Sequence, residues 1–425
     1  MLDEIVTTDE VSEFRIEDLF FSRTDKRGVI QAGNEVFYQV AKYEYAELLG
    51  APHKTVRHPD MPKAVFWIMW DMLKRDEPIG AYVKNLAQDG SYYWVFAMTT
   101  PIEGGYLSVR QKPCTDNLGK IEALYSEVRH RELTQDVSAQ ESAEFLVERL
   151  GDLGWRSYPE FMTDVLIEET AARKSTLGIP SDGNTGEVSQ LKDNAHQTLR
   201  IAQNVLDDFS TIAGFPVNMH IQASKLKASG KIFGSIADNY QRLSKRVESA
   251  MHDFIDARKN TTEIVDKGMF RLMVASVQGE MVRLFQRELD LIELNGDHRP
   301  DPKLDLGVET MILAEQSDLN RKLSIGGLNA ISSEYKNFTR LINEMTGILS
   351  ALSVTQFVGL VETARLDRDG ETLKAMLQDV TNVQSQAQEN LKKLETLNRD
   401  IAARVSKLSK ALAGQGLSYS SSGWP

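Results

Sequence analysis

The sequence changes character at Lys112-Pro113. Before it, short runs of β-branched and aromatic residues alternate with glycine turns. After it, Leu, Ala, Glu, Lys and Gln recur at helical spacing to about Gly414. Period-2 runs pair into a sheet, whereas long amphipathic helices bury their apolar stripes, so an α+β segment followed by an all-helical one is expected. The first segment carries strand signals at Leu19–Thr24 and, after a polar turn ending in Gly28, at Val29–Ala32. Ala81–Asn85 runs to Asp89-Gly90 and then Ser91–Thr100, and Asp-Gly between two such runs predicts a hairpin. Gly104-Gly105 predicts a second hairpin into Tyr106–Val109. Two strands, a helical stretch and a three-strand meander describe an α+β domain.

Length agrees with several cores. The 425 residues imply two to four domains at about 100–200 residues each. The expected division is an N-terminal cap at 1–18, the α+β domain at 19–113 and a helical connector at 114–186. Two helical hairpin units follow at 187–294 and 308–413, joined by a proline-containing linker at 295–307. A Ser/Gly-rich tail at 414–425 is expected to be disordered. A shift of 140 residues lays Ile201, Val205, Phe209 and Ile212 over Leu341, Met345, Leu349 and Leu352. It also superposes Ile221, Leu226, Gly230, Phe233 and Ile236 on Val361, Leu366, Gly370, Leu373 and Met376. Because 140 is twenty heptads, apolar coincidence alone does not establish a duplication. The coincident glycines add to it, since Gly is costly inside a helix and marks a bend or hairpin tip.

Charge and cysteine content exclude several classes. Lys and Arg number 49 against 61 acids, a net −12 that argues against nucleic acid as partner. The single cysteine, Cys114, forms no internal disulfide, which suits a reducing compartment. The longest uninterrupted apolar run is about seven residues, Ala64–Trp70, against the roughly 18 a spanning helix needs, and the acidic N-terminus does not resemble a signal segment. A cytoplasmic protein without a membrane span is therefore expected.

The densest chemistry is Arg57-His58-Pro59-Asp60-Met61-Pro62. Pro62 opens a helical pattern, Lys63–Lys74, and Asp60 sits where an N-cap acid is favoured. The residues support two readings. One is a capped loop-to-helix junction with a solvated arginine and with Trp67 and Trp70 as core. The other is an anionic ligand on Arg57 and the helix N–H groups, walled by Trp67 and Trp70 at i, i+3. The seven histidines stand singly without metal-ligand or haem-attachment spacing, so no metal site is expected and haem is the weaker cofactor candidate. No P-loop, Gly-x-Ser-x-Gly elbow or nucleotide-binding domain downstream of His196 appears, so the chain is not expected to be an enzyme.

Residues 20–113 resemble the PAS domain of bacterial aerotaxis receptors, the flavin-binding redox sensors of energy taxis. The resemblance rests on Asn34-x-x-Phe37, Tyr45-x-Glu47-Leu48-x-Gly50, Pro52-His53 and the string Val56-Arg57-His58-Pro59-Asp60-Met61-Pro62-Lys63. It continues through Met69-Trp70, Glu77-Pro78, Val83-Lys84-Asn85 and Gly90-x-x-Tyr93-Trp94-Val95. It implies a PAS fold, an antiparallel sheet with flanking helices, and non-covalent FAD, with Arg57, His58, Asp60, Trp70 and Asn85 at positions the family uses to bind or support the cofactor. Such receptors continue into a membrane anchor, which is not visible in this sequence.

The helical half resembles a degenerate chemoreceptor signalling domain, an all-α, coiled-coil-like bundle. Its first copy keeps Asn218, Ile221, Ala223, Gly230, Phe233, Ile236, Ala237 and Leu243 in register but has Gln222, Lys225, Ala228 and Ile232 where the family tip has Glu, Arg, Glu and Gly. The second keeps Glu362, Ala364, Arg365, Gly370 and Asp379 but has Thr372-Leu373 for Gly-Phe. The resemblance implies a homodimer or higher oligomer and a chemotaxis kinase or coupling protein as partner. The two resemblances together imply a cytoplasmic redox or oxygen sensor that relays the state of its cofactor through the helix starting at Asn117. The competing expectation is a scaffold whose PAS domain is an empty dimerisation module.

Overall fold

The computed structural model describes residues 6–180, 183–211, 214–226, 230–295, 305–366 and 370–414. Five strands form one antiparallel sheet in the order β2-β1-β5-β4-β3: β1 (Leu19–Asp25), β2 (Ile30–Gly33), β3 (Ile79–Leu86), β4 (Tyr92–Ile102) and β5 (Gly105–Gln111). The β3-β4-β5 meander is the one its turn residues announce, and Gly90 (φ +90°) and Gly104 (φ +84°) supply the left-handed backbone those turns need. Pairing of β1 with β5, from Leu19↔Gln111 to Asp25↔Gly105, closes the sheet across more than eighty residues of chain.

Between β2 and β3 lie α1 (Glu35–Ala41), α2 (Tyr45–Leu48), a 3-10 turn at His53–Val56 and α3 (Lys63–Lys74). Asn34 fixes where α1 starts. Its Oδ1 accepts from the N–H groups of Phe21 and Phe37, and its Nδ2 donates to Leu19 O, so one side chain caps the helix and holds it to β1. The cap of α3 differs from expectation. Pro62 is the N-cap residue, and the free N–H groups of Lys63 and Ala64 donate to the Glu132 carboxylate at 2.9 and 3.0 Å. Asp60 instead pairs with Lys84 at 2.7 Å. The helix N-terminus read above as an anion seat is therefore filled by a carboxylate from the protein itself.

Among the described residues eight further helices follow: α4 (Asn117–Thr134), α5 (Ala139–Asp152), α6 (Tyr158–Thr176), α7 (Gly183–Thr211), α8 (Phe215–Ala223), α9 (Gly230–Asn295), α10 (Leu306–Thr363) and α11 (Glu371–Gly414). The chain divides into two compact units. One takes Met1–Gly186 with Asp266–Ile325, the other Glu187–Val265 with Gly326–Gly416, so α9 and α10 each contribute to both. Parts of the expected linker and tail, residues 296–304 and 415–425, lie outside the described residues, as does Ile212.

In the first unit, helices cover the sheet face opposite α1 and α3. Phe285 of α9 meets Phe21 edge-on with ring centroids 5.3 Å apart, and Gln278 Nε2 donates to Thr100 Oγ1. Arg23 forks onto Glu309 of α10 at 2.6 and 2.9 Å. From α6, Glu169 accepts hydrogen bonds from Tyr82 Oη (2.6 Å), Thr115 Oγ1 (2.6 Å) and Cys114 N (2.6 Å). Burial and the Glu169 carboxylate push the Cys114 thiol up to about 12, so it stays protonated.

The second unit is a helical bundle with Phe209, Phe233, Phe254, Phe338, Leu349, Leu377 and Leu394 in its core. Its two glycine turns are alike. A Cβ on Gly230 would lie 2.4 Å from the Ala223 carbonyl oxygen, and one on Gly370 would lie 2.8 Å from that of Thr363. Ala223 and Thr363 are themselves 140 positions apart. Among the described residues one helix, α10, is long and apolar enough to cross a membrane by length and composition, with 33% of the relevant window buried. The sequence count of uninterrupted apolar runs missed it because scattered uncharged polar residues break the runs. The helix is apolar on two sides: Met345, Leu349 and Leu352 are buried, while Val354, Phe357, Val358 and Val361 are exposed.

Candidate functional site

Strand periodicity gives the sheet two different faces. Ser22 and Thr24 of β1, Val83 and Asn85 of β3, Ala97 and Thr99 of β4, and Tyr106, Ser108 and Arg110 of β5 share one face. Phe21, Arg23, Gly80, Tyr82 and Thr100, each one step out of phase, serve the helices on the other. Over the first face α3 lays Phe66, Met69, Trp70 and Leu73, an i, i+3, i+4, i+7 stripe. The cavity between them has a volume of about 450 Å³. That is within the usual range for a small-molecule site, roughly 300–1,000 Å³.

Its walls are aromatic and its charges are of one sign. Trp70 stands edge-on to Tyr106 with centroids 5.3 Å apart, and Gly28, at φ +76°, brings backbone close beneath it. Arg27, Lys54, Arg57 and Arg110 are the charged residues of the lining, and no carboxylate is among them. Arg27 is engaged by Asp25 at 3.1 Å, and the Arg57 guanidinium lies 3.4 Å from the centroid of the Phe66 ring.

Of the five expected cofactor residues, Arg57, Trp70 and Asn85 come together on this cavity, and an antiparallel bridge joins Arg57 to Asn85. His58 and Asp60 lie outside the lining. His58 is buried; its Nδ1 accepts from the Asp60 N–H at 3.2 Å, and its ring meets Tyr92 edge-on. Burial, with Lys84 nearby, lowers its pKa. Together with the Asp60–Lys84 pair these contacts fasten the loop that carries Arg57 to β3. Trp67 is 36% exposed and absent from the wall, which Phe66 supplies instead, because the inward stripe runs through 66, 69, 70 and 73.

Sequence reasoning missed His53 and Arg110. Arg110 Nη2 lies 2.8 Å from Ser22 Oγ and 2.7 Å from His53 Nε2, while Nη1 has no hydrogen-bond partner among the described residues. Burial pushes Arg110 down to about 10, and burial and the Arg110 charge push His53 down to about 3. The arginine is thus charged and the imidazole neutral near pH 7, with Nε2 free to accept. The alternation of β5 through Tyr106, Ser108 and Arg110 is the signal that could have placed Arg110 inside. His53 is the histidine of the lining, and its Nε2 is already committed to Arg110. Among the described residues no group of three or more His, Cys, Asp or Glu side chains is placed to hold a metal ion.

Comparison with known proteins agrees with this geometry. Residues 32–109 match a family model described as the PAS fold. Over 109 residues the chain is 44% identical to the aerotaxis receptor of Escherichia coli (strain K12), a stretch covering 24% of this chain and 22% of that receptor. The N-terminal domain is a PAS domain similar to that of the receptor, and an all-helical region follows it.

Proposed function

We propose that the chain is a sensory signal-transduction protein whose PAS cavity holds FAD non-covalently and reports its redox state to the helices behind the sheet. The observation that carries this reading is a cavity with four cationic residues and no carboxylate in its lining, in a protein of net charge −12, walled by Trp70 and Phe66. Such a site suits a planar aromatic ligand that also bears negative charge. FAD supplies reversible electron transfer when bound. Trp70 and Phe66 would face its ring, while Arg57 and Lys54 would hold its phosphates. Asn85 would offer an amide to the ring edge, and His58 and Asp60 would keep the Arg57 loop in place.

The relay is short, because residues one step apart on β1, β3 and β4 face cavity and helices alternately. The expected route through the Asn117 helix is therefore supplemented by contacts of the sheet with α6, α9 and α10 inside one compact unit. A cytoplasmic location, self-association and a chemotaxis kinase or coupling protein as partner belong to the same proposal, as does a receptor rather than enzymatic role. The likeness to the aerotaxis receptor supports sensing, and it extends over 22% of that protein's length.

The test is the absorption spectrum of the purified full chain, before and after adding FAD. A bound-flavin spectrum that weakens in Arg57→Ala and Trp70→Phe supports the reading. A colourless protein that does not bind added FAD would sink it in favour of the cofactor-free scaffold.

A further inference from the structure

Two arginines of the first unit are almost completely buried, and their surroundings differ. Arg173, 1% exposed, forks onto Glu280 at 2.8 and 2.9 Å and donates to the carbonyls of Ile16 and Glu17, so charge and donors are both satisfied. Arg110, 5% exposed, lines the cavity and faces two neutral groups, Ser22 and His53, through one nitrogen, while its buried Nη1 has no hydrogen-bond partner among the described residues. The Phe37 ring, 5.4 Å away, makes a cation–π contact but carries no negative charge. Tyr93, the nearby phenol, is held protonated by burial and brings no negative charge.

A buried guanidinium without an anion is one of the most unfavourable arrangements a core can hold. Its orientation is nevertheless fixed: Ser22 and His53 pin Nη2 of the planar guanidinium in the lining of the cavity. His53 accepts from Arg110 without neutralising it. The protein thus keeps a desolvated positive charge in the lining of the cavity.

We propose that Arg110 is the anion-receiving group of the cavity floor, with His53 and Ser22 as its positioning residues, and that the ligand lays an anionic or lone-pair-rich edge against its guanidinium. This rests on the cavity being a ligand site, and it adds a second point of charge recognition, separate from Arg57 and Lys54. For a flavin, that edge would be the ring carbonyl and nitrogen side, which gains negative charge on reduction. Arg110 then favours the reduced form.

The experiment uses the full chain with Arg110→Met and Arg110→Lys, thermal melting without ligand, and titration with FAD. Removing an uncompensated buried charge should raise the ligand-free Tm by roughly 2–4 °C. The same change should weaken FAD binding by roughly 10- to 100-fold, as loss of a charged hydrogen bond does. Arg110→Lys, which keeps the charge but not the fork, should fall between wild type and Arg110→Met. Opposite signs for stability and affinity are the signature, since a purely structural arginine would lose both together. A lower ligand-free Tm in Arg110→Met, or a higher Tm with unchanged FAD affinity, overturns the inference. If the wild type binds no FAD, the flavin reading fails, and the ligand-free Tm alone decides the role of Arg110.

Discussion

Ser22 and Arg23 are consecutive residues of β1 that serve opposite sides of the sheet: Ser22 Oγ lies 2.8 Å from Arg110 at the cavity, and Arg23 clamps Glu309 of α10 at 2.6 Å. One peptide unit, about 3.3 Å of strand, separates the cavity from a helix. A displacement of either side chain is felt directly by the other.

The clamp itself is open to mutation. Glu309 is only 4% exposed at its side chain, against 26% for Arg23. Arg23→Ala leaves that carboxylate buried and unpaired, and should cost about 3–5 kcal/mol. Arg23→Met with Glu309→Met should recover most of the loss. Urea denaturation of the three proteins measures it, and a single-mutant cost below about 1 kcal/mol would mean that water replaces the arginine.

Gly80 marks the closest approach of sheet and helix. A Cβ there would lie 2.9 Å from both Phe270 Cε2 of α9 and Phe96 Cζ. Gly80→Ala should therefore destabilise the first unit by about 1–3 kcal/mol through overpacking. Hydrogen exchange should show the loss in β3 and in the part of α9 around Phe270. Unchanged protection at both would show that the rings yield freely.

Glu169 gathers donors from β3 and from the segment following β5. Tyr82→Phe removes one charge-assisted hydrogen bond and should cost about 1.5–3 kcal/mol. Glu169→Ala strands the donors of Tyr82, Thr115 and Cys114 together and should cost more. Equal losses in chemical denaturation would contradict a shared hub.

Acid should weaken the fold before the carboxylates titrate. His53 is held near 3 by burial and by Arg110, against an unfolded value of about 6.5, so the unfolded chain binds the extra proton as pH falls below that value. Stability from this group is complete above about pH 6.5 and is lost progressively toward pH 3, with a slope approaching about 1.4 kcal/mol per pH unit. His58, also lowered by burial, acts in the same direction. His53→Gln should flatten the pH 6.5 to 5 limb of a denaturation series, and an unaltered slope would place the protons elsewhere.

Local chemistry explains what could be read from the sequence. The turns at Asp89-Gly90 and Gly104-Gly105 and the period-2 runs around them fix the meander, and Lys63–Lys74 is helical to the residue. Pairing of β1 with β5 depends on closure over a distance no local pattern encodes. The site divides in the same way. Arg57, Trp70 and Asn85 stand in a recognisable string and meet at the cavity, whereas Arg110 belongs to no such string and is placed inside only by the alternation of β5 through Tyr106 and Ser108. The N-cap of α3 was misassigned because Glu132, seventy positions away, outcompetes the neighbouring Asp60.

The first unit draws on two stretches of chain, Met1–Gly186 and Asp266–Ile325. A fragment cut after residue 186 would keep every strand and every cavity residue, yet lack Phe270, Gln278, Glu280, Phe285 and Glu309. Its sheet would lose the α9 and α10 part of its cover and keep that of α6, and Arg23 and Arg173 would lose their acids. This unit is contiguous in space but not along the chain, so it cannot be excised with a single pair of cuts.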